Sequence, residues 1–196
     1  MTASVRENKK AAVRDALERA ALELITARGF DEVTVDDIAE AAAVSRRTFF
    51  RYFKTKEEVL FSRRRGQLVQ LEKALSTKVA RESAVRAVRR VMLMLAADYI
   101  PDRARILREQ RIVANHAALK AHDLEIDFAY ETTIARALST QMRPNKASQR
   151  KARWIAAACI AVVRVTLQEW AEGGGKADLA AMGREAFGFL EHLDRA

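Results

Sequence analysis

From Val13 onward, apolar residues return at intervals of three and four: Val13, Ala16, Leu17, Ala20, Ala21, Leu24 and Ile25. That period draws one apolar stripe along an amphipathic helix. Gly29 is placed to end it in a left-handed cap. Thr34 then offers an N-cap, with Asp36 and Asp37 in the first turn and Val35, Ile38, Ala39 and Ala42 as the inner stripe of a short second helix. Ser45 caps a third helix predicted to run to about Phe53, which leaves helix-turn-helix spacing between the two. Thr55, with Glu58 three residues on, reads as a capping box opening a fourth, longer helix that carries Val59, Leu60, Leu68, Leu71 and Leu75.

Farther along, the pattern predicts helices at about Ser83 to Asp98, Asp102 to His116, Leu119 to Met142, Ala147 to Glu172 and Asp178 to Leu193. Pro101, Pro144 and the triplet Gly173-Gly174-Gly175 punctuate them. Two prolines and seven glycines, against abundant Ala, Leu, Glu and Arg, favour helix throughout. An all-α fold of about nine helices is therefore expected, in two parts: residues 1–54, and a larger bundle at 55–196. There is no internal repeat and no low-complexity segment.

The chain of 196 residues is 49% apolar, enough to bury a core, and carries a formal charge of +9. Between Ser45 and Arg65 lie eight Lys or Arg and two Glu, an excess of +6. A local field of that size points to an anionic partner. The single cysteine, Cys159, can form no internal disulfide, which fits a reducing compartment. The longest uninterrupted apolar run, Trp154 to Val163, is about half of a membrane span, and MTASVRENKK has no apolar signal core. Neither a transmembrane helix nor a secretion signal is expected, and the protein is placed in the cytoplasm.

Wound at 100° per residue, the third helix puts Phe49 and Phe53 on one face, as core, and Arg47 and Arg51 on the other, flanked by Thr48 and Phe50. Like charges four apart disfavour a helix by about 0.2–0.5 kcal/mol, so folding gives no reason for the pair. A polyanion does. Arginine pairs bidentately with guanine, Thr48 and the edge of Phe50 suit a thymine methyl or a phosphate, and Tyr52 can donate to a phosphate oxygen. Lys56, in the first turn of the fourth helix, adds a cation to exposed backbone N–H groups. Arg63, Arg64 and Arg65 either join this field or are plain surface.

TVDDIAEAAAVSRRTFFRYFKTKEEVL resembles the DNA-binding signature of the TetR-type bacterial transcriptional regulators over about the first sixty residues, with T-x-x-x-I-A followed by V-S-x-x-T-F-x-x-Y-F-x-x-K-E. The resemblance implies that Thr34, Ser45, Arg46, Arg47, Thr48, Phe50, Arg51, Tyr52 and Lys56 face bases or phosphates. For Arg46 the resemblance alone supplies the role, because the helical wheel leaves it beside the core. The sequence departs from the family pattern at Ala43, where glycine is frequent in the turn, at Arg47, where a small residue is, and at Phe50, where a tyrosine often reaches a phosphate. Ala43 must then adopt the backbone angles of that turn.

For the rest of the chain the resemblance implies a helical body with an inducer pocket and a dimer interface. Met92, Leu95, Tyr99, Ile112, His116, Phe128 and Trp154 are the ligand-binding candidates, with Met94, Tyr130 and Met142 of similar character; ordinary core is the competing reading of each. Ala158, Val162, Val165, Leu179, Phe187 and Leu190 are the dimerisation candidates, against a purely internal packing of the last two helices. Arg164 pairs either with an anionic ligand or, preferably, with a carboxylate across the dimer.

The expected function is a transcriptional regulator, a repressor that binds a palindromic operator on double-stranded DNA as a homodimer and leaves it when a small-molecule inducer binds. An activator, or a regulator without a ligand, is the alternative; a helical interaction module and an enzyme are more distant ones. Catalysis is not expected: no HExxH, GxSxG or GxxxxGK[ST] pattern appears, His116 and His122 fall on different helix faces, and Cys159 sits in an apolar stretch. No cofactor, metal or membrane partner is expected.

Overall fold

The computed structural model describes residues 2–77, 82–97 and 102–193. Ten helices and no strand occur among them: α1 (Thr2–Arg28), α2 (Val35–Ala41), α3 (Arg46–Tyr52), α4 (Lys56–Leu60), α5 (Ser62–Ser76), α6 (Ala84–Ala97), α7 (Arg103–Ala114), α8 (Ala117–Gln141), α9 (Lys146–Glu172) and α10 (Leu179–Leu193). The chain divides into two compact units, one of Met1–Arg63 with Arg111–Asp123, the other of Arg64–Gln110 with Leu124–Ala196.

In the first unit, α1 packs on α2 and α4, and α2 on α3. Leu17, Ala21 and Ile25 of α1, Ile38 of α2, Phe49 of α3 and Val59 of α4 are almost wholly removed from water. Burial of each of these side chains larger than alanine contributes about 1.5–3 kcal/mol, which outweighs the weak helical preference of seven-residue segments. Gly29 ends α1 at φ 90° and donates its N–H to the Ile25 carbonyl, a left-handed stop that suits glycine. Thr34 and Asp37 cap α2 reciprocally, and Ser45 caps α3 through the Thr48 N–H.

The long fourth helix of the sequence reading is two helices. Phe61 leaves helical geometry, its ring 3% exposed, and Ser62 starts α5 with its hydroxyl donated to Glu18 Oε1 at 2.5 Å. The unit thus closes beyond residue 54 because Val59, Leu60 and Phe61 belong to its core. Thr55 caps α4 by accepting from the Glu58 N–H, and the returning Glu58 carboxylate accepts from the Lys54 N–H at 2.7 Å. Segment 111–123 joins the same unit: His116 stands edge-on to Phe30 at 4.8 Å, and His122 tilts against Phe61 at 4.9 Å.

In the second unit, α10 packs on both α9 and α6, and α6 on α9. Val88, Val91, Ala156, Cys159, Ile160 and Phe187 lie at the centre. The glycine triplet forms the α9–α10 turn. Gly175, at φ 66°, leaves no room for a Cβ, which would stand 2.9 Å from both the Trp170 ring and Arg103 Nε. Trp170 donates its indole N–H to the Ala177 carbonyl across this turn at 2.9 Å. One 18-residue window of α9 has a mean hydropathy of 1.3, so by length and composition this helix is apolar enough to cross a membrane, contrary to the expectation drawn from its longest unbroken run. Ala152, Ala156, Cys159, Ile160, Thr166 and Trp170 nevertheless bury one side of it in the unit's own core.

Candidate nucleic-acid interface

α3 packs on α2 and is held by its buried rings. Phe49 is 0% and Phe53 3% exposed, with ring centroids 5.9 Å apart, and the opposite face carries Arg47, Phe50 and Arg51 in solvent. Among the described residues no carboxylate pairs with Arg47 or Arg51; the Arg51 guanidinium lies 5.3 Å from the centroid of the Tyr52 ring. Phe50 is 45% exposed and stands edge-on to Phe49 at 5.5 Å, so its outer edge offers an apolar contact from a fixed position.

Thr34 and Ser45, both exposed, are engaged as caps. The Thr34 hydroxyl binds Asp37, and Ser45 Oγ accepts from the Thr48 N–H at 3.1 Å while sharing a 2.9 Å hydrogen bond with the Thr48 hydroxyl. The hydrogen bonds from the Thr34 hydroxyl and the Thr34 N–H hold the Asp37 carboxyl below its usual range, and the Arg28 charge adds to the effect. Tyr52 is half-buried at the C-terminal end of α3.

Two cations differ from their sequence reading. Arg46 is exposed rather than beside the core: its Nη1 meets Asp36 Oδ2 at 2.5 Å and its guanidinium lies 5.3 Å from the Phe50 ring centroid. Lys56 turns inward. Its ammonium donates to the carbonyl oxygens of Phe30 at 2.7 Å and Val33 at 2.9 Å and sits 4.2 Å from the Phe30 ring centroid. Two of its three N–H donors thus serve the turn after α1 and tie that turn to α4.

The ligand candidates fall in both units. Ile112 and His116 lie in the first unit, where His116 Nε2 is 3.0 Å from Asp31 Oδ1. In the second unit Leu95 is core at 3% exposure, Met92 is half-buried, and Phe128 and Trp154 are surface rings at 68% and 64%. Tyr99 falls outside the described residues. Tyr130 is buried, donates its hydroxyl to the Arg64 carbonyl at 2.7 Å, and has its phenol pushed up to about 12, chiefly by that burial.

Of the dimerisation candidates, Ala158 and Val165 are exposed on α9, and Val162, Leu179 and Leu190 are half-buried. Phe187, 2% exposed, fills the core of its own chain; Phe189, 64% exposed and missed in the sequence, carries the outward ring. Arg164 does find a carboxylate, but within its own chain: its Nε is 3.5 Å from Asp127 Oδ2, and Arg64 Nη2 takes Asp127 Oδ1 at 2.6 Å. Arg64 therefore belongs to this bridge and not to the exposed field of α3.

A short helix cupped by two others, arginines outward and rings inward, with a tight turn before it, defines a helix-turn-helix DNA-binding protein. The family described as "Bacterial regulatory proteins, tetR family" matches residues 18–62. The HTH-type transcriptional regulator TcmR of Streptomyces glaucescens is 32% identical over 172 residues, covering 85% of this chain and 76% of that protein. The chain belongs to the TetR family of bacterial transcriptional regulators. Among solved structures it is similar to Thermus thermophilus FadR, a TetR-family repressor in complex with lauroyl-CoA, at 26% identity and a TM-score of 0.58 over 90% of this chain and 92% of that one. A TetR-family regulator of Streptomyces coelicolor shares the fold at 18% identity and a TM-score of 0.63, over 95% and 96%. The chain is thus a DNA-binding regulator of transcription, and its relatives are regulators rather than enzymes.

Proposed function

We propose that this regulator is a repressor that works in the cytoplasm as a two-fold dimer, reads a nearly palindromic operator with the outer face of α3, and leaves DNA on binding a small molecule. The observation that carries the reading is the pair Arg47 and Arg51, exposed, without a carboxylate partner among the described residues, and set on a helix whose other face is pinned by Phe49 and Phe53. Two unpaired guanidiniums at that spacing gain from a polyanion what they cost the isolated helix. Phosphate contacts position such a helix, and arginine in the major groove specifies bases. The exposed Ala158, Val165, Trp154 and Phe189 support a subunit contact on α9 and α10, since apolar surface of that kind gains by being covered. The likeness to FadR with lauroyl-CoA supports an effector of small-molecule size, for which an acyl thioester is the first compound to test.

The test is selection of duplexes from a random pool by the purified chain. Recovery of inverted half-sites spaced by about one helical turn, or a multiple of it, is the expected outcome. Recovery of a single unrepeated half-site removes the dimeric reading, and an unchanged pool removes operator recognition. Titration of the bound complex with acyl thioesters then tests release.

A further inference from the structure

Asp36 stands in the first turn of α2 and Arg46 in the first turn of α3, and they meet across the turn of the DNA-binding motif, Nη1 to Oδ2 at 2.5 Å. The same guanidinium lies 5.3 Å from the ring centroid of Phe50, which is itself fixed edge-on against the buried Phe49. Arg46 is therefore the one arginine of α3 whose charge is met by a carboxylate among the described residues; Arg47 and Arg51 have none. The pair is 60% and 62% exposed, and a surface ion pair of that kind contributes only about 0–1 kcal/mol to folding. Helix capping does not need it either, because Thr34 and Asp37 close the N-terminus of α2 by themselves. Its main consequence is on the charge that α3 presents.

We propose that Asp36 is a specificity-setting residue: by holding Arg46 against α2 and the Phe50 ring, it withholds one cation from the DNA backbone. The inference rests on the reading that the outer face of α3 meets DNA. Sequence-independent affinity comes from neutralised phosphates, and each one adds about 0.9 to the slope of log affinity against log salt. An Arg46 free to reach a phosphate raises affinity for every duplex alike and narrows the margin between operator and random DNA. Held by Asp36, it leaves discrimination to Arg47 and Arg51. The neighbouring carboxylate, Asp37, is already occupied by Thr34 and by Arg28 at 3.4 Å, so it offers Arg46 no substitute partner.

The experiment compares the full-length wild type with Asp36→Asn, Arg46→Ala, the double variant and Asp36→Glu, titrated onto a random duplex and onto a selected operator across a salt series. Asp36→Asn is expected to tighten random-duplex binding about 3–10-fold, to steepen its salt slope by about 0.9 and to lower the operator-to-random ratio. Asp36→Glu, which restores the pair, returns all three toward wild type, and the double variant loses the gain. Thermal unfolding shows that each variant is folded. Unchanged random-duplex affinity and slope in Asp36→Asn overturn the proposal. So does a gain that persists without Arg46, because Asp36 then acts only as a charge that repels phosphate. Salt-insensitive binding by the wild type overturns the DNA-facing reading of α3, and the proposal with it.

Discussion

The Lys56 ammonium donates to the Phe30 carbonyl oxygen at 2.7 Å while lying 4.2 Å from the centroid of the same residue's ring. A cation that reads in the sequence as a phosphate contact is thereby turned into a fastening between α4 and the turn after α1. Lys56→Met is expected to lower stability by about 1–3 kcal/mol, because the Phe30 and Val33 carbonyls lose a charged donor, while leaving the salt slope of DNA binding unchanged. Urea unfolding and a salt titration check the two halves; a slope flatter by one phosphate contact returns Lys56 to the DNA.

Arg47→Ala and Arg51→Ala are each expected to weaken operator binding by about 1–3 kcal/mol with little effect on folding, since neither side chain has an ion-pair partner among the described residues. Competition between operator and random duplex separates the roles. A loss confined to the operator marks a base contact, an equal loss on both marks a phosphate contact, and no loss in either variant removes α3 as the reading helix.

Ala43 holds φ at 53°, the one non-glycine residue with positive φ among those described, in the turn between α2 and α3. Left-handed backbone costs a residue with a Cβ about 1–2 kcal/mol, and glycine gives back part of that through its freer unfolded chain. Ala43→Gly is expected to raise stability by about 0.5–1 kcal/mol with operator affinity unchanged, as read by thermal unfolding. A lower melting temperature removes the strain assignment.

Burial pushes the Cys159 thiol from its ordinary 9.0 up to about 12. The sign follows from which state ionises first: below about pH 9 both states carry a neutral thiol and its contribution is complete, and between about 9 and 12 the unfolded thiolate draws the protein toward unfolding. Native protein at pH 8 is expected to resist a thiol reagent at Cys159, with labelling only at the rate of unfolding. Rapid labelling of folded protein contradicts this burial.

The local sequence determined most of the DNA-binding unit. Thr34, Ser45 and Thr55 announce their caps, Gly29 its left-handed stop, and Phe49 and Phe53 their inward face, because each depends on neighbours within about four residues. The resemblance to the TetR signature supplied the function from the same stretch. Helical period told which residues face away from α3's own core, and so singled out Arg47 and Arg51.

What spacing could not carry was the partner of each charge. Arg46 meets Asp36, Lys56 meets the Phe30 and Val33 carbonyls, and Arg164 meets Asp127, over separations of 10, 26 and 23, and 37 residues that only packing closes. Burial of the ligand candidates was open for the same reason: an aromatic or sulfur-bearing side chain has the same local signature in a core, as Tyr130 is, or on a surface, as Phe128 and Trp154 are. Phe187 and Phe189 differ by two positions on one helix, yet one is sealed in the core and the other lies in solvent. The sequence alone set where the helices begin, which faces are apolar and where positive charge accumulates, since those are properties of consecutive residues. The tertiary structure decided which charges stay available to DNA, because pairing depends on distances between side chains that the chain order leaves open.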